Sequence, residues 1–514
     1  MKILTAAQTR QLDHATVQEQ GLTPAALMER AARAFAQWFI GYLGPEEAGE
    51  VLVLCGPGNN GGDGLAAARL LHHASYHVRV ALLPANKHSP DWQHNRERLP
   101  AAVPAADLDA AALPAIAADT VVIDALFGTG LSRPLTGLAA AVVAYLNGAR
   151  ARVVAIDLPS GLFADASQPA GSAVVRAAHT VSFGLPKLAF LLPQNADYVG
   201  DWQVQGIGLS EAFIATTATP WHYTDAAAVA GALPVRPRFS HKGTFGHALL
   251  LAGSRGKLGA AVLAAGACLR GGVGLLTARV PGGGLDVFQT SVPEAMCLPD
   301  PQPDYVSELP NLTPYQAVAI GPGLGQHAAS QAVLRQLLEA AAATADSRPR
   351  PLSLVIDADA LNMLGANREL LALLPENTVL TPHPKEFERL TKPARDDYHR
   401  LALLRNFART HRCLVVLKGA YSCLATPAGE LYFNSTGNPG MATGGSGDVL
   451  TGLLLALRAD ARLAPFEAVR LAVFAHGRAG DLAAAATGQA GLVAGDLVRH
   501  VGPALRELTA APAY

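Results

Sequence analysis

Residues Val51–Gly64 read VLVLCGPGNNGGDG: a short apolar run, then Gly56, Gly58, Gly61, Gly62 and Gly64 set among Asn59, Asn60 and Asp63. The run Val51–Leu54 predicts a buried strand. The glycines after it predict a strand-to-helix junction, where outward-facing N–H groups favour an anion such as pyrophosphate. Working outward, Val/Ile/Leu runs recur at His77–Leu82, Thr120–Ile123, Arg152–Ile156 and His179–Phe183. Between them, Leu65–Leu71 and Leu138–Leu146 carry apolar residues three or four apart, the spacing of sheet-covering helices. This alternation predicts an α/β fold on a mostly parallel sheet. Upstream, Pro24–Phe39 sets Leu27, Ala31, Phe35 and Trp38 on one face of a long helix that Thr23 caps and Pro24 opens. The same helix is a candidate subunit contact in a homo-oligomer.

A second glycine-rich segment, NPGMATGGSGDVLTG at Asn438–Gly452, precedes the helical pattern Val449–Leu457. One active site rarely needs two such segments, so two catalytic domains are expected, at residues 1–215 and 225–514. Ala212–Arg238 is read as the linker, because it shows few strand or helix signals and ends in Pro234 and Pro237. The second domain offers strands at Ala248–Ala252, Leu275–Arg279, Ala317–Ile320, Ser353–Ile356, Thr378–Leu380, Cys413–Leu417 and Tyr421–Ala425. Its helices include Gly259–Cys268, Ser330–Ala341 and Pro465–Asp481, with Leu337–Asp346 as an alanine-rich helix tail ended by Pro349 and Pro351.

The 514 residues hold 40 Lys+Arg against 41 Asp+Glu, which gives no broad positive field for nucleic acid. Apolar stretches are short, so no membrane span is expected, and the N-terminus lacks the apolar core of a secretion signal, which points to the cytoplasm. Cys55, Cys268, Cys297, Cys413 and Cys423 form no CxxC pair and read as reduced, buried thiols.

Two further strand ends carry acids: Asp124 in VVIDALFGTGLSRP and Asp157 in VVAIDLPSGLFAD. Open α/β sheets bind ligands at these carboxyl edges. Asp124 with Asn60 and Ser160 makes an all-oxygen set suited to a cation, without choosing potassium over sodium or magnesium, while helix capping is the plainer reading of either acid. On NNGGDG, DALFGTGL and AIDLPSG, the first region resembles the NAD(P)H-hydrate epimerase family across about Met1–Ser210. The resemblance implies a Rossmann-like three-layer domain that interconverts the 6R and 6S hydrates of NADH and NADPH. It carries K+ ligation to Asn60, Asp124 and Ser160. It carries substrate contacts to Asn59, Asn60, Gly61, Gly62, Asp63, Gly128, Thr129, Gly130, Leu131, Ser132, Arg133, Pro134 and Asp157, the last as acid/base.

In the second segment Asp448 falls at the opening turn of a helix, where it can orient a substrate hydroxyl and accept its proton as attack on phosphorus proceeds. The helix start is expected to keep it ionised and hence a weak base. Asp357, Asp359 and Asn362 form a polar strand-end cluster suited to a Mg2+–nucleotide. There is no GxxxxGK[ST] P-loop and no protein-kinase HRDLxxxxN set. Instead KGTFGHALLLAGS, GPGLG, DADALN, TPHPKEFERL, VVLKG and NPGMATGGSGDVLTG resemble the ribokinase-like ADP/ATP-dependent NAD(P)H-hydrate dehydratases over about Arg238–Leu508. This resemblance implies a ribokinase-like three-layer domain. It implies Ala260, Gly323, His383 and Asp448 at the hydrated cofactor, and Lys418, Gly419, Ala420, Tyr421, Ser422 and Gly447 at the adenine nucleotide. A structural histidine is the other reading of His383. The implied reaction is phosphorylation of the S hydrate followed by phosphate elimination, with Mg2+ and with ADP favoured over ATP. The alternative is a ribokinase-like small-molecule kinase with an N-terminal interaction domain.

Overall fold

The computed structural model describes residues 1–343 and 350–509. The end of the predicted alanine-rich tail, through Asp346 and Pro349, lies outside them. The chain divides into two compact units, one spanning Lys2–Trp221 and one running onward from His222, with Asp396–Tyr398 grouped with the first and Met1 with the second.

The first unit holds a seven-stranded, all-parallel sheet. Its strands are β1 (Val51–Cys55), β2 (Val78–Leu82), β3 (Ala105–Asp107), β4 (Val121–Ala125), β5 (Arg152–Ile156), β6 (His179–Phe183) and β7 (Asp201–Gln205). They lie in the order β3-β2-β1-β4-β5-β6-β7. Every residue of β1 is buried because helices cover both faces. Val51, Val53 and Cys55 pack with α2 (Pro24–Tyr42) and α3 (Asn59–His73), while Leu52 and Leu54 pack with α5 (Gly137–Gly148). The period-two alternation of a strand thus yields a three-layer α/β/α stack. Helix α2 begins as predicted, with Thr23 Oγ accepting from the Ala26 N–H at 3.2 Å and Pro24 in the first turn. Of its predicted face, Leu27, Ala31 and Phe35 are buried within the unit and Trp38 is half-buried, with Phe39 buried beside them. Two further helices, α1 (Ala6–Gln20) and α4 (Pro90–Glu97), pack on α2. Helix α1 was not anticipated, since its few apolar residues make no clear stripe.

The second unit carries ten strands. They are β8 (Trp221–Thr224), β9 (His247–Leu251), β10 (Leu275–Val280), β11 (Met296–Pro299), β12 (Ala317–Ile320), β13 (Ser353–Ile356), β14 (Val379–Leu380), β15 (Leu414–Leu417), β16 (Cys423–Ala425) and β17 (Leu431–Asn434). The order is β11-β10-β9-β12-β13-β14-β15-β16-β17-β8, parallel from β11 to β15 and antiparallel from β15 to β17. The division between the units falls within Ala212–Arg238, but the segment is not bare linker: it holds most of helix Glu211–Thr216, strand β8 and helix Ala226–Val229. Strand β8 is an edge of this sheet, and an edge strand needs only one apolar face, which is a weak sequence signal. Helices Leu258–Arg270, Ser446–Ala459 and Pro465–Thr487 bury their alanine and leucine faces in one core with Ala248, Leu250 and Ala252. Among the described residues no helix is long and apolar enough to cross a membrane.

Candidate active sites

In the first unit the glycines of the opening segment act through close approach. A Cβ on Gly56 would lie 1.8 Å from the Leu126 carbonyl oxygen, and one on Gly61 1.8 Å from that of Gly56. Only hydrogen at these positions lets the start of α3 nest against the end of β4. The nested junction opens on a cavity of about 560 Å³, lined by Asn59, Asn60, Asp63, Gly128, Thr129, Gly130, Leu131 and Asp157. Gly61 and Gly62 are buried behind it, and Ser132, Arg133 and Pro134 lie on an exposed loop outside its lining.

Asp157 follows β5 with φ 63°, a left-handed conformation that is costly for a residue with a Cβ and recurrent at functional sites. Its Oδ1 accepts from Lys187 Nζ at 2.6 Å, the Phe183 N–H at 3.2 Å and Ser182 Oγ at 3.3 Å. Lys187 is only 4% exposed and its ammonium also donates to Ser182 Oγ at 2.7 Å. A buried lysine needs such a partner. Sequence reasoning missed Lys187, although a single cation inside the apolar run GLPKLAFLL was the available signal. Asp63 faces the same space, and burial first, then the like charges of Asp157, Asp13 and Asp91, holds its carboxyl well above the usual range.

Asp124 is fully buried in β4. Its carboxylate accepts from Ser160 Oγ at 2.6 Å, the Ser160 N–H at 2.7 Å and the Leu126 N–H at 3.2 Å. Burial pushes it up to about 6, opposed only by these hydrogen bonds. Ser160 Oγ in turn accepts from the Phe127 N–H at 2.8 Å and lies 3.1 Å from the Phe127 carbonyl oxygen. Asn60 Nδ2 is buried with no partner among the described residues, and the two ends of an amide can be exchanged to present oxygen there. A buried carboxylate with dipoles but no cation, ringed by oxygen donors, suits a hard monovalent ion.

In the second unit Gly445, at φ 91°, caps the helix Ser446–Ala459, and Asp448 is the third residue of its first turn. A Cβ on Gly452 would lie 2.0 Å from the Ala264 carbonyl oxygen, so this helix packs almost backbone to backbone on Leu258–Arg270. Ala260, Gly323, Asp359, Asn362, Glu386 and Asp448 border an open cavity of about 440 Å³. Asp448 corrects the weak-base expectation: burial pushes it up to about 6, with the charge of Asp357 adding and Lys418 opposing. Desolvation shifts a carboxyl by several units, whereas a helix terminus supplies about 1 kcal/mol or less. Asp448 is therefore a stronger base than its helix position suggests.

Asp357 behaves oppositely. It accepts from Lys418 Nζ at 2.9 Å and Thr451 Oγ at 2.7 Å, and although burial alone would raise it, these partners hold it below the usual range. Lys418 is thus tied behind the loop, and a Cβ on the neighbouring Gly447 would lie 3.5 Å from its Nζ. Gly419, Ala420, Tyr421 and Ser422 form the turn between β15 and β16, outside the lining of this cavity, with Ser422 Oγ donating to the Gly419 carbonyl oxygen at 3.1 Å. His383 caps helix Pro384–Leu390, its Nδ1 accepting from the Lys385 and Glu386 N–H groups at 3.1 and 3.2 Å. From that motif the side chain bordering the cavity is Glu386, which sequence reasoning did not single out. Asp359 accepts from the Gly325 N–H at 2.8 Å and pairs with Lys257 at 3.3 Å.

Two units built on mainly parallel sheets, each placing a carboxylate and a glycine-lined helix start at the strand ends, define a two-site α/β enzyme. A family model described as YjeF-related protein N-terminus matches residues 24–189, and one described as NAD(P)H-hydrate dehydratase matches residues 248–501. The chain is 37% identical to the bifunctional NAD(P)H-hydrate repair enzyme Nnr of Moorella thermoacetica, over 99% of this chain and 97% of that protein. It is equally 37% identical to the Nnr protein of Thermofilum pendens, over the same shares of 99% and 97%. The ADP/ATP-dependent NAD(P)H-hydrate dehydratase of Bacillus subtilis, crystallised with ATP and Mg2+, is 29% identical over 56% of this chain and 98% of that chain, with a TM-score of 0.47. The chain belongs to the family of bifunctional NAD(P)H-hydrate repair enzymes.

Proposed function

We propose that the two units divide the repair of hydrated NADH and NADPH, the domain built on residues 1–215 acting as epimerase and that on residues 225–514 as dehydratase. The first exchanges the 6R and 6S hydrates, with Asp157 as an acid/base group and K+ held by Asn60, Asp124 and Ser160. The second uses ADP to phosphorylate the 6-hydroxyl of the S hydrate. Asp448 accepts the hydroxyl proton as the oxygen attacks phosphorus. Phosphate then departs with the C6–O electron pair, and loss of a C5 proton restores the dihydronicotinamide. Phosphorylation matters because hydroxide is a poor leaving group and phosphate a good one. A Mg2+ ion bound with the nucleotide would neutralise phosphate charge. Asp359 at the cavity edge fits such an ion, which takes only one or two protein carboxylates. We place the activity in the cytoplasm.

The observation that carries this reading is the pair of separate cavities, each with its own acid and its own glycine-lined helix start. The test supplies purified R and S hydrates with ADP, ATP or no nucleotide, and follows both reduced cofactor and phosphate. Matched formation of the two from S hydrate is expected. A stable phosphoester would instead mark an ordinary kinase.

A further inference from the structure

Granting the epimerase reading of the first unit, inversion at one ring carbon makes a demand that a single carboxylate meets poorly. The hydroxyl leaves from one face and water returns to the other, so a proton is given on one side and taken on the other. Asp157 is fixed to one wall by Lys187, Ser182 and the Phe183 N–H. A second carboxyl borders the same cavity from another element: Asp13, on α1. Helix α1 does not need it, because Thr5 and Gln8 already form a capping box and Leu12 and Thr16 bury its inner face. Among the described residues the Asp13 carboxyl has no hydrogen-bond partner, and Val17, Leu27, Ile207 and Leu209 line the same cavity with apolar surface. A carboxyl kept in such a place without structural return is a functional candidate.

We propose that Asp13 is a catalytic acid–base residue of the epimerase, working on the ring hydroxyl from a different wall than Asp157. Protonated Asp13 gives its proton to the C6 hydroxyl. The C6–O bond breaks with its electron pair leaving in water, while the lone pair of the ring nitrogen forms a C=N bond. Water adds to the opposite face, the nitrogen regains its pair, and the surplus proton passes to Asp157. The reverse reaction starts from protonated Asp157 and returns the proton to Asp13, so no oxidant or co-reactant is consumed. Burial, with Asp157's charge adding and Lys187 opposing, pushes Asp13 up to about 6, which lets it hold or release a proton near neutrality. The other titratable and charged groups bordering this cavity are Arg10 and His14 on α1, Asp63 on α3 and Asp91 on α4.

The full chain is assayed with pure R hydrate by chiral chromatography at fixed K+ across pH. In Asp13→Asn, kcat is expected to fall roughly a hundredfold or more with KM little changed, and the ionisation near pH 6 to vanish from the profile. Asp13→Glu is expected to recover part of the rate with a shifted acidic limb. Dehydration of S hydrate by the same preparations should stay at the wild-type rate. A wild-type kcat in Asp13→Asn, or a loss confined to KM, overturns the role. Where Asp13→Asn loses the thermal transition of its unit, Asp13→Glu decides, an unshifted profile overturning the role. A wild-type chain that leaves R hydrate unchanged removes the epimerase reading and this role together.

Discussion

Asp124 and Asp357 hold matching places in the two units, each at the carboxyl edge of a parallel sheet and each no more than 1% exposed. Their electrostatics are opposite. Asp357 has a resident cation in Lys418 and is held below the usual carboxylate range, whereas Asp124 has only dipoles and is pushed up to about 6. Burial is common to both, so burial alone does not set the charge state of an acid. What differs is whether the chain supplies the counter-charge itself. A carboxylate already paired by its own chain is architecture, and one surrounded by oxygens without a protein cation is where the proposed K+ would bind.

The two proposed catalytic acids give the largest expected effects. Asp448→Asn should lower nucleotide-dependent dehydration roughly a hundred- to ten-thousand-fold while leaving epimerisation intact, and Asp157→Asn should do the converse. Quantifying both epimers and reduced cofactor in each variant checks this, and equal losses in both reactions would erase the division between units. Asp448 must be deprotonated to accept the hydroxyl proton. Since its carboxyl titrates at about 6, dehydratase kcat/KM should climb with pH up to that point and level off above it. An acidic limb displaced toward pH 4 would show that desolvation does not govern this carboxyl.

Breaking the internal ion pair comes next. Lys418→Met leaves Asp357 charged, buried and unpaired, and should destabilise the second unit by about 3 kcal/mol, at the low end for a buried pair because the lysine is partly exposed. Calorimetry should show that unit's transition falling with the first unit's unchanged. The smallest effect concerns Asp124. Its pKa is raised on folding from 3.8 to about 6, so its contribution to stability is full below pH 4 and fades as pH rises through 6. Added K+ should restore stability above pH 6 more than Na+ does at equal ionic strength, and Asp124→Ala should remove the distinction. Thermal melts across pH with each cation decide it, and an identical response to both ions would leave Asp124 a structural acid.

The parallel sheets and both glycine-rich junctions were legible in the chain because their signals are local. Apolar runs mark strands buried on both faces, and glycine marks backbone approach. Edge strands such as β8 and β11, and helix α1, were not legible, since an element covered on one side need not carry a continuous apolar pattern. The same limit applies within the sites. Asp124, Asp157 and Asp448 stand in motifs a reader can find, while Lys187 and Asp13 do not, and Glu386 stands in TPHPKEFERL, where His383 drew the reading instead.

Sequence by itself determined that this chain builds two α/β units and placed an acid beside each glycine-rich turn, because strand and helix periodicities and turn chemistry are written within a few residues. Only the tertiary structure decided what those acids are. It brought Lys187 from thirty positions away to 2.6 Å from Asp157, gave Asp357 its partner Lys418, and among the described residues made no ion pair to Asp124 or Asp448. Charge state in a folded protein follows from burial and from neighbours distant along the chain, and neither exists until the sheet has assembled.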